Sequence, residues 1–257
     1  MPHKDTIDSI PKALTFMGKT SGTYLNTPLA VNRPYTDAEW APLNPDVPTS
    51  LHSRCLQAYQ TVQNNVATQT GLVREAKRLA LRAAMYISHF YQELDDTILR
   101  EELPSGPGAR AYYGRPVEGG AIPAPHAYDA IKAEADKIVS GEARRLAAEG
   151  VGAVALAMPT ATQVGAARDE LKDALDAVQS AVTATDNARE ALNALEPAVF
   201  ALCAKSVARI ELLFMDDPSP SSFRAKCIRW GVVYIYDEGE TPDVPPEPTP
   251  PTPTPPA

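Results

Sequence analysis

The strongest candidate for chemistry in this sequence is a set of three polar residues, His89, Glu93 and Asp96. Their spacing places an imidazole and two carboxylates on neighbouring turns of one helix face, an arrangement that could begin a metal site. A di-iron bundle requires Glu-x-x-His on two helices together with two further inward glutamates, and the sequence contains no such motif. We therefore favour an ordinary solvated face with an ion pair, and we predict no metal, no cofactor and no catalytic residue.

A cysteine nucleophile is the second kind of chemistry to consider. The three cysteines, Cys55, Cys203 and Cys227, are an odd number without the CxxC spacing of a zinc site. A reactive thiol needs a nearby base, and of the scattered histidines only His52 is expected at the same end of the fold as Cys55 and Cys203. The glycines lack the spacings that direct backbone amides at phosphate. We predict packed, reduced thiols and a protein that is not an enzyme.

The charge balance argues against nucleic acid as a partner. The chain has 24 Lys and Arg residues against 32 Asp and Glu, a formal net charge of -8, so its field repels phosphate backbones and anionic lipid. A basic cluster of Arg224, Lys226 and Arg229 could bind an acidic protein surface. Acids at 211, 216 and 217 favour pairing of that cluster within the chain instead.

No segment is expected to insert into a membrane. The longest nearly apolar run, residues 151–158, is far shorter than the roughly 20 residues that span a bilayer. The first part of the chain is charged and has no continuous apolar stretch, so we expect no cleavable secretory signal. The expectation is synthesis in the cytoplasm, with assembly there or export by a non-classical route.

Two heptad patterns define the fold class. In each of two long segments, residues of one row recur every seven positions, and a second row follows three positions later, which keeps one helix face against another helix. The chain is therefore predicted to be mainly α, an elongated antiparallel helical bundle built on two long helices. The principal rows are His52, Tyr59, Val66, Val73, Ala80, Ile87, Leu94 and Val164, Leu171, Val178, Thr185, Leu192, Val199.

The long helices are predicted over residues 50–103 and 160–215, with a shorter helix over 126–149. A capping box of Thr160 and Gln163 begins the second long helix. If the long helices lie antiparallel, with residue 103 at the same height as residue 161, the numbers of two residues that face each other add to about 264. Pro197 then lies close in height to Gly71, and both helices are expected to be kinked there.

The two ends of the chain are predicted to flank this bundle, which covers 49–217. Prolines throughout residues 1–48 favour an extended arm, pinned to the bundle by Trp40. Residues 218–240 contain a β-branched and aromatic run, 228–236, that favours a strand. Its partner is expected at Leu14–Met17, at Tyr24–Val31 or on another subunit. Residues 241–257 are a proline-rich tail of the polyproline II type.

These features favour a non-enzymatic structural protein. Arms and unpaired strands are elements that subunits exchange on assembly, so we expect a subunit of a homopolymer such as a filament, shell or surface layer. The first alternative is a monomeric helical module that binds another protein, with the tail as spacer or ligand, and the second is a metal-binding bundle. The residues predicted to make interactions are Trp40, Ile228, Trp230, Val232, Tyr234 and Tyr236.

Overall fold

A computed structural model describes residues 3–27 and 35–236, and the predicted tail over 241–257 lies outside these ranges. Within them the protein is mainly α, as the heptad patterns predict. Two short 3-10 segments, Ala41–Leu43 and Gly106–Tyr113, and two strands, β1 (His3–Lys4) and β2 (Tyr234–Ile235), accompany the helices. The helices are α1 (Ile10–Asn26), α2 (Asp37–Trp40), α3 (Leu51–Leu99), α4 (Tyr128–Glu149), α5 (Ala161–Asn193), α6 (Glu196–Phe214) and α7 (Pro220–Arg229).

The chain divides into two compact units. Unit 1 comprises Met1–Asn64 and Asp186–Ala257, and unit 2 comprises Asn65–Thr185. Helices α3 and α5 each contribute one part to each unit, so the predicted bundle over 49–217 is divided. The physical reason is that different elements complete the two cores: α1, α6 and α7 belong to unit 1, whereas α4 and the Gly106–Tyr113 segment belong to unit 2.

The heptad rows face the interior of both units, which confirms the helix-face prediction. Every residue of the two principal rows is buried or half-buried. Ile87 and Leu94 of α3 and Val199 of α6 are fully buried, and Leu171 of α5 is 1% exposed. Burial of such rows, more than intrinsic helix propensity, stabilises helices of this length.

The second long helix is interrupted where the sequence predicts. Helix α5 ends at Asn193, two turn residues follow, and α6 begins at Glu196 with Pro197 in its first turn. Proline is tolerated there because a first-turn N–H has no partner inside the helix. The predicted capping box is also present, since the Thr160 amide donates to Gln163 Oε1 (2.8 Å) and the Gln163 amide to Thr160 Oγ1 (3.1 Å).

The predicted register of the two long helices is wrong. In unit 2, Asn65 Nδ2 donates to the Ala184 carbonyl (3.0 Å) and Arg82 pairs with Glu170, so paired position numbers add to about 250 rather than 264. The end of α3 is covered instead by the Gly106–Tyr113 segment, where Tyr113 packs against Phe90 with ring centroids 5.4 Å apart. Helix α3 continues through Gly71 without interruption, and a bend there stays a prediction.

The first 48 residues are not an extended arm, because α1 occupies Ile10–Asn26. Pro11 lies in the first turn of α1, where it assists a helix rather than blocking it, and no further proline occurs before the helix ends. The buried side chains of α1 recur at helical spacing and pack into unit 1. They are Ile10, Ala13, Phe16, Met17, Thr20, Ser21 and Tyr24.

The predicted strand over 228–236 is shortened to β2, and its first residues belong to α7. Ser219 caps α7 by accepting a hydrogen bond from the Ser222 amide (3.3 Å), and Pro220 occupies the first turn, so capping outweighs strand propensity. The partner of β2 is β1, antiparallel, with His3 opposite Ile235 and Lys4 opposite Tyr234. The helical stretch Leu14–Met17 is not a partner, and the second predicted partner begins in α1 and ends outside the described residues.

Candidate interaction surfaces

Two of the six predicted interaction residues are buried in unit 1, and the other four are half-buried. Trp230 is 4% exposed and Val232 3% exposed, and the Trp230 carbonyl accepts a hydrogen bond from Thr20 Oγ1 of α1 (2.7 Å). Ile228, Tyr234 and Tyr236 are half-buried. The structure therefore places Trp230 and Val232 in the core of unit 1, and a contact role for the half-buried residues stays a prediction.

Trp40 anchors the segment that follows α1 to α1 itself, whereas the sequence predicted that it pins residues 1–48 to the bundle over 49–217. Its ring stacks on Tyr24 with centroids 4.6 Å apart and an interplanar angle of 14°. The same segment is attached to α6, because the Tyr35 hydroxyl donates to the Ser206 carbonyl (3.1 Å) and Glu39 pairs with Arg209. Burial raises the pKa of Tyr35 to about 12, so this hydroxyl stays a donor throughout the physiological range.

The pair of strands, which we call the β1–β2 ribbon, carries the first surface of interest. It has one inward and one outward face, since the Tyr234 hydroxyl lies against the Cys227 thiol while Val233 and Ile235 are 57% and 42% exposed. The Asp5 amide donates to the Val233 carbonyl (2.8 Å), which extends the pairing by one residue. The outward apolar residues were missed in the sequence, although their alternation with Tyr234 is the signal that could have identified them.

An apolar groove in unit 2 is the second surface of interest, and we call it the α3–α5 groove. Its cavity is about 290 Å³, and a neighbouring cavity of about 320 Å³ shares Lys77, Ala80 and His126 with it and continues past Leu81 and Pro125. Leu81 is 71% exposed. The floor is formed by Val73, Ala76 and Ala80 of α3 and by Leu171, Leu175 and Val178 of α5.

The rim of the α3–α5 groove is basic and aromatic. Lys77, His126 and Tyr128 line it, and Lys77 forms no ion pair within the described part of the chain. The neighbouring Lys132 and Lys172 are each paired with an aspartate of their own helix. Lys77 is therefore the cation of this rim that remains to be neutralised.

The metal candidate on α3 is not assembled into a cluster. His89 and Asp96 are exposed, and the Glu93 carboxylate accepts hydrogen bonds from Arg100 (3.2 Å) and Thr97 (3.3 Å). Among the described residues, no group of three or more His, Cys, Asp or Glu side chains is placed to hold a metal ion. The ion pair of Glu93 with Arg100 is the kind of contact that the sequence interpretation favoured.

All three cysteines are buried free thiols. Burial raises the pKa of Cys203 to about 12 and that of Cys227 to about 11, and it also raises the pKa of Cys55. Cys55 and Cys203 are close enough to interact electrostatically, which agrees with their predicted location at one end. Because the thiolate is the nucleophile, these sites favour packing over reactivity.

A buried charge network lies in unit 2 at the end of α4. Arg145 Nε and Nη2 donate to the two oxygens of Glu142, each at 2.9 Å, and Nη1 pairs with Glu149. Arg145 also donates to the Val154 carbonyl (2.8 Å). Burial alone would raise the pKa of Glu142, but hydrogen bonds from Arg145, the Tyr113 hydroxyl and the Leu156 amide outweigh it and lower that pKa. The network attaches the chain after α4 to that helix, and its polar groups are occupied by one another.

A second set of charges pairs with the basic cluster near the C-terminus. Three donors surround the Asp217 carboxylate: the Lys226 ammonium, the Ser222 hydroxyl (2.7 Å) and the Ser219 amide (3.0 Å). The lysine, followed by these two hydrogen bonds, lowers the pKa of Asp217 to about 2. This contact supports pairing of the cluster within the chain.

We predict that Asp217 titrates with a midpoint near pH 2 in carboxyl-carbon NMR. Because this folded-state pKa lies below the unfolded value of about 4, the stabilisation is complete above about pH 4 and is lost as the pH falls through about 2. The Lys226→Gln variant should move the midpoint up towards about 4. A midpoint that does not change in this variant would contradict the assigned cause.

None of the helices in the described residues combines the length and apolar character needed to cross a membrane. The chain matches no protein-family model, no curated protein and no solved structure.

Proposed function

We propose that this chain is a non-enzymatic assembly protein, a subunit of a homopolymer such as a filament, shell or surface layer. The observation that carries the proposal is the outward apolar face of the β1–β2 ribbon, where Ile235 of β2 and the adjoining Val233 are exposed. Proteins that stay monomeric usually protect such strands with charges, prolines or covering loops. An exposed apolar strand is a surface onto which another chain can add.

The ribbon also provides a means of exchange between copies. Strands β1 and β2 come from opposite ends of the described chain and pair over two residues each, and so small a ribbon contributes little stability by itself. If β1 leaves its own β2 and pairs with that of a neighbour, the same contacts are formed between chains. The salt bridge of Lys4 with Glu211 (2.9 Å) would be transferred with it.

We expect the molar mass measured by light scattering to rise as the protein concentration is increased about a hundredfold. Replacing both Val233 and Ile235 with lysine should abolish this rise, because two charges on the outward face oppose strand addition. Far-UV circular dichroism should remain unchanged, since neither side chain belongs to the buried core.

The matched control replaces Val151 and Val154, which are exposed in unit 2, with lysine. These changes add the same charge but leave the β1–β2 ribbon intact, so the rise in mass should persist. A wild-type protein that is monomeric at every concentration would contradict the proposal, as would a rise that both double variants retain.

A second candidate function is a monomeric helical module that binds another protein. The α3–α5 groove favours it, since an apolar floor with a polar rim is the form of groove into which helices and proline-rich segments bind. In that case the protein stays monomeric, and a partner changes its mass in the same light-scattering measurement. The metal-binding alternative has no comparable support from the described residues.

A further inference from the structure

We infer that the α3–α5 groove binds the acidic, proline-rich segment 237–257 of a second copy of this chain. This inference rests on the proposed homopolymer and assigns one of its contacts. It joins a surface of unit 2 to a segment that follows directly after β2. Two unlike surfaces that bind each other produce a head-to-tail contact, which continues from copy to copy unless the rotation closes a ring.

Charge complementarity is the first argument for this occupant. Segment 237–257 contains five acidic residues and no Lys or Arg. The acids lie at 237, 238, 240, 243 and 247, which places all of them in the first half of the segment. The groove offers Lys77, which has no ion-pair partner among the described residues, on its rim, with His126 beside it. In a chain of net charge -8, a cation on an apolar groove attracts an acidic ligand.

The shape and chemistry of the groove provide the second argument. Nine of the 21 residues in the segment are proline, and proline-rich segments bind to apolar grooves in which an aromatic ring packs against the proline rings. Tyr128 lines the α3–α5 groove beside the aliphatic floor of α3 and α5. Val244, a large apolar residue amid the acids and prolines, is the side chain we assign to this floor.

The length of the segment is sufficient for a contact with another copy. At roughly 3.1 Å per residue in a polyproline II conformation, 21 residues reach about 65 Å. The segment starts immediately after Tyr236, the last of the described residues. The proline content also lowers the entropy lost on binding, since the unbound segment samples fewer conformations.

The other apolar cavity near the segment is less suited to it. A cavity of about 250 Å³ lies between β1, α1 and residues 231–233, with Lys4 and Lys12 on its rim. Both lysines are already neutralised, Lys4 by Glu211 and Lys12 by Asp5 and Asp8. In this cavity the acidic segment would lie near carboxylates as well as cations. Its negative charge therefore favours the α3–α5 groove over this cavity.

The test is a titration of a fluorescently labelled peptide of residues 237–257 with the full chain, followed by anisotropy. We expect saturable binding that Lys77→Glu weakens by about tenfold or more, equivalent to about 1.4 kcal/mol. The matched control is Lys19→Glu, an exposed position on α1 that changes the net charge by the same amount and should leave the affinity unchanged. A peptide carrying Asp243→Lys and Glu247→Lys should bind the Lys77→Glu variant more tightly than it binds the wild type.

Several outcomes would overturn the inference. They are the absence of saturable binding, equal weakening by Lys19→Glu and Lys77→Glu, and weakening by Lys12→Gln without an effect of Lys77→Glu. These results leave the proposed homopolymer standing if its mass still rises with concentration and depends on Val233 and Ile235. Conversely, peptide binding by a protein that is monomeric at every concentration would overturn both the homopolymer and the assignment to a second copy.

Discussion

Replacing Arg145 with methionine is expected to lower the free energy of unfolding by about 3–5 kcal/mol. The arginine side chain is fully buried, and it is the cation that compensates the carboxylates of Glu142 and Glu149, which are 5% and 3% exposed. Without it, two buried carboxylates lie close together with no charge to balance them, and the Val154 carbonyl loses its donor. Urea unfolding at neutral pH, followed by far-UV circular dichroism, measures the change.

The matched control for Arg145 is Arg189→Met on α5. Arg189 pairs with Asp186 at the surface, with both side chains more than half exposed, so the same substitution should change the free energy of unfolding by less than about 0.5 kcal/mol. Adding Glu142→Gln to Arg145→Met should recover part of the loss, because it removes one of the uncompensated charges. Equal losses for Arg145→Met and Arg189→Met would show that the buried network does not stabilise unit 2.

Replacing Gly141 with alanine is expected to lower the free energy of unfolding by about 1–3 kcal/mol. This change in stability has the opposite sign to the usual effect of a glycine-to-alanine substitution, because alanine is preferred over glycine inside a helix by about 1 kcal/mol. A Cβ atom at Gly141 would lie 2.7 Å from both the Tyr112 carbonyl oxygen and a ring carbon of Tyr113. The Gly106–Tyr113 segment would have to move away from α4, which would disturb the hydrogen bond of Arg144 to the Tyr112 carbonyl (2.6 Å).

Gly71→Ala is the matched control for Gly141→Ala, because Gly71 is also inside a long helix. A Cβ atom there meets no atom within 4 Å, so the substitution should raise the free energy of unfolding by about 0.5–1 kcal/mol. Both variants can be compared with the wild type in one series of urea unfolding curves. If the two substitutions change stability in the same direction, the close approach of the Gly106–Tyr113 segment to α4 does not determine the effect at Gly141.

The long helices could be predicted because their signals are local. A row of apolar residues that repeats every seven positions indicates which side of a helix faces inward. The buried or half-buried state of that row follows from the pattern itself. The break before Pro197 and the capping box at Thr160 depend on the backbone chemistry of a few adjacent residues, and both are present. The helix α1 could have been predicted in the same way, had Pro11 been interpreted as a first-turn residue.

The interaction surfaces could be predicted only in part. The sequence identifies Trp230, Val232 and Tyr234 as apolar or aromatic, but a residue of this type packs equally well into a core or against a partner. For Trp230 the choice between core and partner contact depends on helix α1, because Thr20 of α1 donates a hydrogen bond to the Trp230 carbonyl. The exposure of Val233 and Ile235 depends on pairing with β1, which lies at the opposite end of the described chain.

The sequence by itself therefore determined the helical class, the inward faces of the long helices and the break before Pro197, together with the absence of recognisable catalytic motifs. The tertiary structure alone decided the register of α3 and α5, the division into two units, the partner of β2 and the α3–α5 groove. The physical reason is that periodicity and capping act between residues within one or two helical turns. Register and groove depend instead on the sum of many weak contacts between distant segments, such as Tyr113 against Phe90 at the end of α3.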